Sequence, residues 1–292
     1  MRPREQVHRI SVAGVIAVFI VGAGSLGGVK ASVQHENAII DLWSAGIATF
    51  GVFVPDERPR DTGGRRGRGQ RQVPLYTVEG GKRLAENPLY DFVFLNLEGG
   101  YDAGSVEAIA EGLRSRSAVS RKALLVRIPP IERDGPEVAR SRVREVLDEG
   151  ADGVVFPHIR SPEDARMAIS FMTETGSDLW SASNPSGDKI AMIMIEDPAS
   201  LARVEETANV PGIGILACGI GSLTGALGGD REAAEVGNQK VLAEAKRIGA
   251  VDMITANSNN VTGRVVEGFL ALLMQGASAD EAIEIGRAAA GR

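Results

Sequence analysis

From residue 49 onward the chain alternates between short, almost wholly apolar runs and longer stretches in which apolar residues recur at helical spacing. A short run rich in Val, Ile, Leu and Phe suits a parallel strand covered on both faces, and a 3.6-residue period suits the crossover helix that covers it. The runs predict strands at 49–54, 91–98, 122–129, 153–159, 189–197, 214–220, 251–257 and 269–274. Helix starts are marked between them. Ser161-Pro162-Glu163-Asp164 offers a cap, a first-turn proline and early acids, and Ser278-Ala279-Asp280-Glu281 opens the last helix in the same way. Eight such units predict an α/β chain with a single closed (β/α)8 TIM barrel over residues 32–292, because an open doubly wound sheet would need edge strands that read as more polar.

The first 31 residues follow a different pattern. Residues 1–9 are basic, 10–21 are almost wholly apolar, and Val29-Lys30-Ala31 ends on a small residue, which is the order of a signal peptide. The apolar run, extended to 29, also approaches the ~20 residues that span a bilayer, so the segment reads either as cleaved after Ala31 or as a retained membrane tether. Both readings put the body in an extracytoplasmic space. Gly22, Gly24 and Gly27 match the glycine pattern of a dinucleotide-binding turn, but the polar stretch Gln34-His35-Glu36-Asn37 arrives before a crossover helix has room to form.

Composition narrows the function classes. Apolar residues at 43% and charged residues at 24% suit a soluble domain that buries its own core. The single cysteine, Cys218, rules out an intrachain disulfide and a cysteine metal cluster, and reads as a small core residue. The net charge is −6, and Arg2, Arg4, Arg9 and Lys30 all precede Ser32, so the body is more acidic still and offers nucleic acid no general attraction. The run 57–72, with Arg58, Arg60, Arg65, Arg66, Arg68 and Arg71, reads as a solvated loop or as a mobile cationic rim for acidic ligands. Asn260-Val261-Thr262 matches a glycosylation acceptor.

Candidate chemistry lies at the C-terminal ends of the predicted strands, where barrels of this kind carry their sites. In order these ends give Glu98, Arg127, His158, Glu196, Ser222 and Asn257. Two carboxylates and an arginine converging there suit an anionic oxoacid held on a divalent cation. Each also has a plainer reading. Glu196 is a metal ligand or half of a structural ion pair, Arg127 a substrate contact or a salt bridge to Glu98 or Glu196, and His158 a packed histidine bonded to backbone. Gly219 and Gly221 either let amides approach a carboxylate or relieve crowding at the rim.

The runs FVFLNLEGGYD, LLVRIPP, GADGVVFPHIRSPEDAR, IMIED and GIGILACGIGSLTGALG, in this order and spacing, resemble the HpcH/HpaI aldolase and citrate lyase family over residues 47–276. The resemblance implies a phosphoenolpyruvate/pyruvate-domain-like barrel and reversible aldol cleavage of a 2-oxo or 2-hydroxy acid through a metal-bound pyruvate enolate. It implies a divalent metal (Mg, Mn or Co) on Glu196, contacts from Arg127 to the substrate carboxylate and the developing enolate oxygen, and acid–base work by Glu98; Gly219, Gly221 and Ser222 read as further substrate contacts, and Ser222 also as a weak metal ligand. It also implies an oxoacid and an aldehyde as small-molecule partners, and a homo-oligomer. Departures accompany it, among them Asn96 where an acid is often found. Ser222 stands where the family has its second metal carboxylate, Gly99 where a histidine follows Glu98, and 171–189 is short. With Ser222 as a poor ligand the metal would be weakly held. The sequence therefore also admits an exported barrel that binds an oxoacid without turnover. An acyl-CoA-dependent lyase is disfavoured, since an exported protein would rarely meet that substrate.

Overall fold

Eight strands follow one another around a closed barrel in the computed structural model, which describes residues 35–58 and 74–292. They are β1 (Thr49–Phe53), β2 (Phe92–Asn96), β3 (Ala123–Arg127), β4 (Gly153–Phe156), β5 (Ile190–Ile195), β6 (Ile215–Cys218), β7 (Val251–Thr255) and β8 (Ala271–Met274). Each is parallel to the next, and β8 closes the ring onto β1. All eight predicted strands form, each shorter than its apolar run, and in all but β8 the trailing residues turn away into the rim. The predicted export segment lies outside the described residues, as does the arginine-rich run beyond Arg58. Among the described residues no helix is long and apolar enough to cross a membrane.

Alternation along each strand divides the core into two layers. Phe92, Phe94, Leu125, Val155, Met192 and Met194 fill the barrel interior, whereas Val93, Leu124, Val154, Ile193 and Leu216 face outward onto the helices. The helices begin as their caps require. Ser161 Oγ accepts from the amide of Asp164 at 3.1 Å at the start of Pro162–Thr173, and Asp230 caps Arg231–Ile248 through the amide of Ala233 at 2.9 Å. Ser278 does occupy the cap position of Ala279–Ala289, but its side chain takes no cap hydrogen bond.

A short helix, Ala38–Ser44, precedes the eight units and closes the N-terminal end of the barrel. Its Ile39, Ile40 and Trp43 join the inner core. The Trp43 ring lies 5.6 Å from that of Trp180 and donates from Nε1 to Thr49 Oγ1 and Leu270 O, at the entries to β1 and β8. The polar residues before it anchor the turn, with His35 Nδ1 2.7 Å from Asp41 Oδ1 and Nε2 2.8 Å from Pro185 O. With one end sealed by apolar side chains, the C-terminal rim is the end left for chemistry.

Candidate active site

Strand parity decides which rim residues look inward. Phe92 and Phe94 fill the interior from β2, so Asn96 and Glu98 continue the same face. Leu125 brings Arg127 inward at the last position of β3, and Met192 and Met194 bring Glu196 inward just past β5. The three charged side chains meet. Arg127 Nη2 donates to Glu196 Oε1 and Oε2 at 3.1 and 3.3 Å and lies 3.0 Å from Glu98 Oε1. Glu196 is 2% exposed, and both of its oxygens accept hydrogen bonds.

One of those donors was not foreseen. The His158 amide gives a 2.8 Å hydrogen bond to Glu196 Oε2, and the His158 ring places Nε2 2.9 Å from Glu98 Oε1 and Nδ1 3.5 Å from Glu196 Oε2. The expectation of a histidine packed on backbone is corrected, since its ring partners are carboxylates. Parity along β4, with Val155 inside and Val154 and Phe156 outside, would point residue 158 away from the barrel. A left-handed backbone at His158, φ 54°, reverses that direction, and it is the one positive φ outside glycine among the described residues. Pro157, just before it, is the only local hint in the sequence that the chain leaves the strand there.

Glycine at 219 is a matter of room. A Cβ there would stand 2.5 Å from Glu196 Oε1 and 2.6 Å from its Cγ, so relief of crowding explains it. Gly221 has nothing within reach of a Cβ. Ser222 is exposed on the helix Ile220–Ala226 and makes no hydrogen bond to Glu196. Asn257 is spent in its own turn, donating its amide to Asn260 Oδ1 at 2.8 Å and accepting from Asn259 at 2.9 Å. Cys218 is buried in the outer layer, and burial pushes its thiol up to about 12, which makes it inert.

Two cavities open on this rim. One, of about 390 Å³, lies between the loops after β3 and β4 and is lined by Ile131, Pro136, His158, Ile159, Arg160 and Met167. The other, of about 440 Å³, lies over β1, β2 and β8 and is lined by Phe53, Asp56, Tyr76, Asn96, Gly99 and Gln275. The Arg127 group stands between strands that feed both. Arg133 steadies the β2 loop by donating to Glu98 O at 2.7 Å.

A divalent cation does not fit the side chains present. Glu196 is already held by Arg127 and His158, and the acids that follow β5 and β6 are engaged as helix caps, Asp197 at the amide of Ser200 (2.8 Å) and Asp230 at that of Ala233 (2.9 Å). Among the described residues no three His, Cys, Asp or Glu side chains are arranged to hold a metal ion. Beside Glu196, where a metal shared with Ser222 was expected, the structure has the Arg127 guanidinium.

Comparison with known proteins follows the same lines. A chain from Hapsidospora irregularis, the 4-hydroxy-4-methyl-2-oxoglutarate aldolase tasA, is 29% identical over 160 residues, which are 48% of this chain and 58% of that one. This chain thus spans little more than half the length of that relative. An HpcH/HpaI aldolase/citrate lyase family protein from Burkholderia cenocepacia J2315 superposes with a TM-score of 0.64 at 19% identity, over 87% of this chain and 97% of that one. The citrate lyase beta subunit of M. tuberculosis, solved with oxaloacetate and magnesium, gives 0.57 at 17% identity, over 86% and 100%. The HpcH/HpaI aldolase/citrate lyase family profile matches residues 85–278, two thirds of the sequence, and this chain belongs to that family.

Proposed function

We propose that this protein is a carbon–carbon lyase that cleaves or forms 2-oxo and hydroxy acids by an aldol step, with a pyruvate enolate as the intermediate. The observation that carries the reading is the buried Arg127–Glu196 pair on the inner face of the rim, with Glu98 and His158 against it. In a retro-aldol step the C3–C4 bond of a 4-hydroxy-2-oxo acid breaks and its electron pair passes to the C2 carbonyl as an enolate. The C4 hydroxyl gives up its proton and becomes a carbonyl, and C3 later takes a proton. A fixed guanidinium at the C2 oxygen stabilises the charge that develops there. Arg127 is suited to this, because Glu98 and Glu196 fix its orientation through Nη2 while Nη1 has no partner among the described residues.

Glu98 is the group assigned to proton transfer, held by the His158 ring. The name of the fungal relative suggests 4-hydroxy-4-methyl-2-oxoglutarate, which splits into two pyruvates, as the first substrate to try. We assign the export or tether role to the N-terminal segment on its sequence pattern alone, and the oligomer on family resemblance. A second reading, oxoacid binding without turnover, is favoured by the donors already on both oxygens of Glu196.

The test is pyruvate release from that acid, together with deuterium exchange into the pyruvate methyl group followed by NMR. Cleavage or exchange supports the lyase. Saturable oxoacid binding by calorimetry with neither cleavage nor exchange would replace it with the binding reading.

A further inference from the structure

The Arg127 side chain is wedged and not draped. It is 12% exposed at the last position of a barrel strand, and its Nε is buried with no hydrogen-bond partner. Its Nη2 meets three carboxylate oxygens within 3.3 Å, and one of these also takes the His158 amide. Resting on the lyase reading above, we propose that the Arg127 guanidinium is the resident cation of this site and that the chain handles 2-oxoacid enolates without a divalent metal.

Three observations lead there. A dication at Glu196 would have to expel Nη2 from both carboxylates and then stand beside a positive charge that β3 holds in place, and like charges at such short range repel strongly in a partly buried site. The hydroxyl that replaces the family's second carboxylate, Ser222, is exposed on a helix and does not reach Glu196 by a hydrogen bond. The other acids after β5 and β6 are committed to helix caps.

The arrangement also says what ligand the site takes. With Nη2 consumed by protein carboxylates, Nη1 is the donor left over, and a guanidinium N–H in a fixed plane matches a carboxylate or enolate oxygen. The protein carboxylates thus position the arginine, and the arginine receives the substrate.

Manganese binding to the full chain, stripped with chelator and followed by electron paramagnetic resonance and calorimetry, tests this without turnover. The wild-type chain is expected to show no saturable site below about 1 mM, the weak end of protein oxygen sites. Arg127→Met leaves Glu98 and Glu196 uncompensated and is expected to create a site at least about a hundredfold tighter, which Arg127→Met with Glu196→Gln abolishes again. Ser222→Asp, at an exposed helix position, carries the test should Arg127→Met not fold. With Arg127 holding Glu196, the new carboxylate brings no gain in affinity.

A saturable manganese site in the wild type in the micromolar range would overturn the assignment. So would a tenfold or greater gain in Ser222→Asp, or no site in a folded Arg127→Met. A chain that binds no manganese and cleaves no oxoacid sinks the lyase reading and leaves the cation assignment standing. A chain that cleaves only with manganese does the reverse.

Discussion

Arg127, at the end of β3, and Glu196, just past β5, are bound through one guanidinium nitrogen at 3.1 and 3.3 Å, with the carboxylate side chain only 1% exposed. A buried pair of this kind contributes little over an apolar substitute, but removing one partner strands the other's charge at a cost of about 3–5 kcal/mol. Arg127→Met should therefore lower stability in urea by about 3 kcal/mol, and adding Glu196→Gln should recover part of that loss. Deuterium exchange into pyruvate should fall about 10²–10³-fold in either protein. Additive losses in the double variant would mean that the two side chains do not share one interaction.

Gly219 gives a sharper test of the same carboxylate. A methyl group there would stand 2.5 Å from Glu196 Oε1, while the backbone φ of −75° suits any residue. Gly219→Ala is thus a purely steric change aimed at one side chain. It should cost about 1–3 kcal/mol, as overpacking does, and should reduce exchange or oxoacid binding far more than that loss explains. Thermal melts beside exchange rates decide it, and a variant with wild-type exchange would show that the position of Glu196 is immaterial.

How much of this was legible in the sequence depends on which physical rule governs each residue. The strands were legible because strands buried on both faces leave apolar runs, and Arg127 and Glu196 followed because they end such runs on the inner parity. His158 was not, since its direction comes from one left-handed backbone position that parity ignores. The closing helix Ala38–Ser44 was missed for a related reason: seven residues are too few for a helical period to stand out, and its apolar face is defined only by the barrel end it covers. Which cation stands beside Glu196 was not legible, because ligand spacing along a chain says nothing about which cation arrives first. Arg127 was already a candidate at the end of its strand, and only the distances show it between the two acids.

The His158 backbone allows its ring to be separated from its amide. His158→Gly keeps the N–H that holds Glu196 and adopts φ 54° without the Cβ clash, which costs other residues about 1–2 kcal/mol. Stability should hold or rise slightly while exchange drops about 10²-fold, because Glu98 loses the ring that orients it. His158→Pro, which removes the N–H and cannot take this φ, should lose both. The comparison is made by urea unfolding and by exchange rate. Exchange unchanged in His158→Gly would confine His158 to a structural role.

Asp252 is expected to contribute to the pH dependence of stability, far from the site. It lies on β7 facing the outer layer, 2% exposed, with neither carboxylate oxygen hydrogen-bonded. Burial raises its carboxyl well above the usual carboxylate range, and Lys246 and Arg264 offset only part of that. A raised folded value means that the folded state binds the proton more tightly than the unfolded chain, whose Asp titrates near about 3.9. Its stabilising linkage is therefore complete below the unfolded value and is lost as pH rises toward the folded one. Asp252→Val, similar in volume and suited to a strand, removes that loss and should stabilise the protein by about 1–3 kcal/mol at pH 8, with a smaller gain at pH 4. Melting curves at the two pH values measure the difference, and an equal gain at both would mean that ionisation of Asp252 contributes nothing.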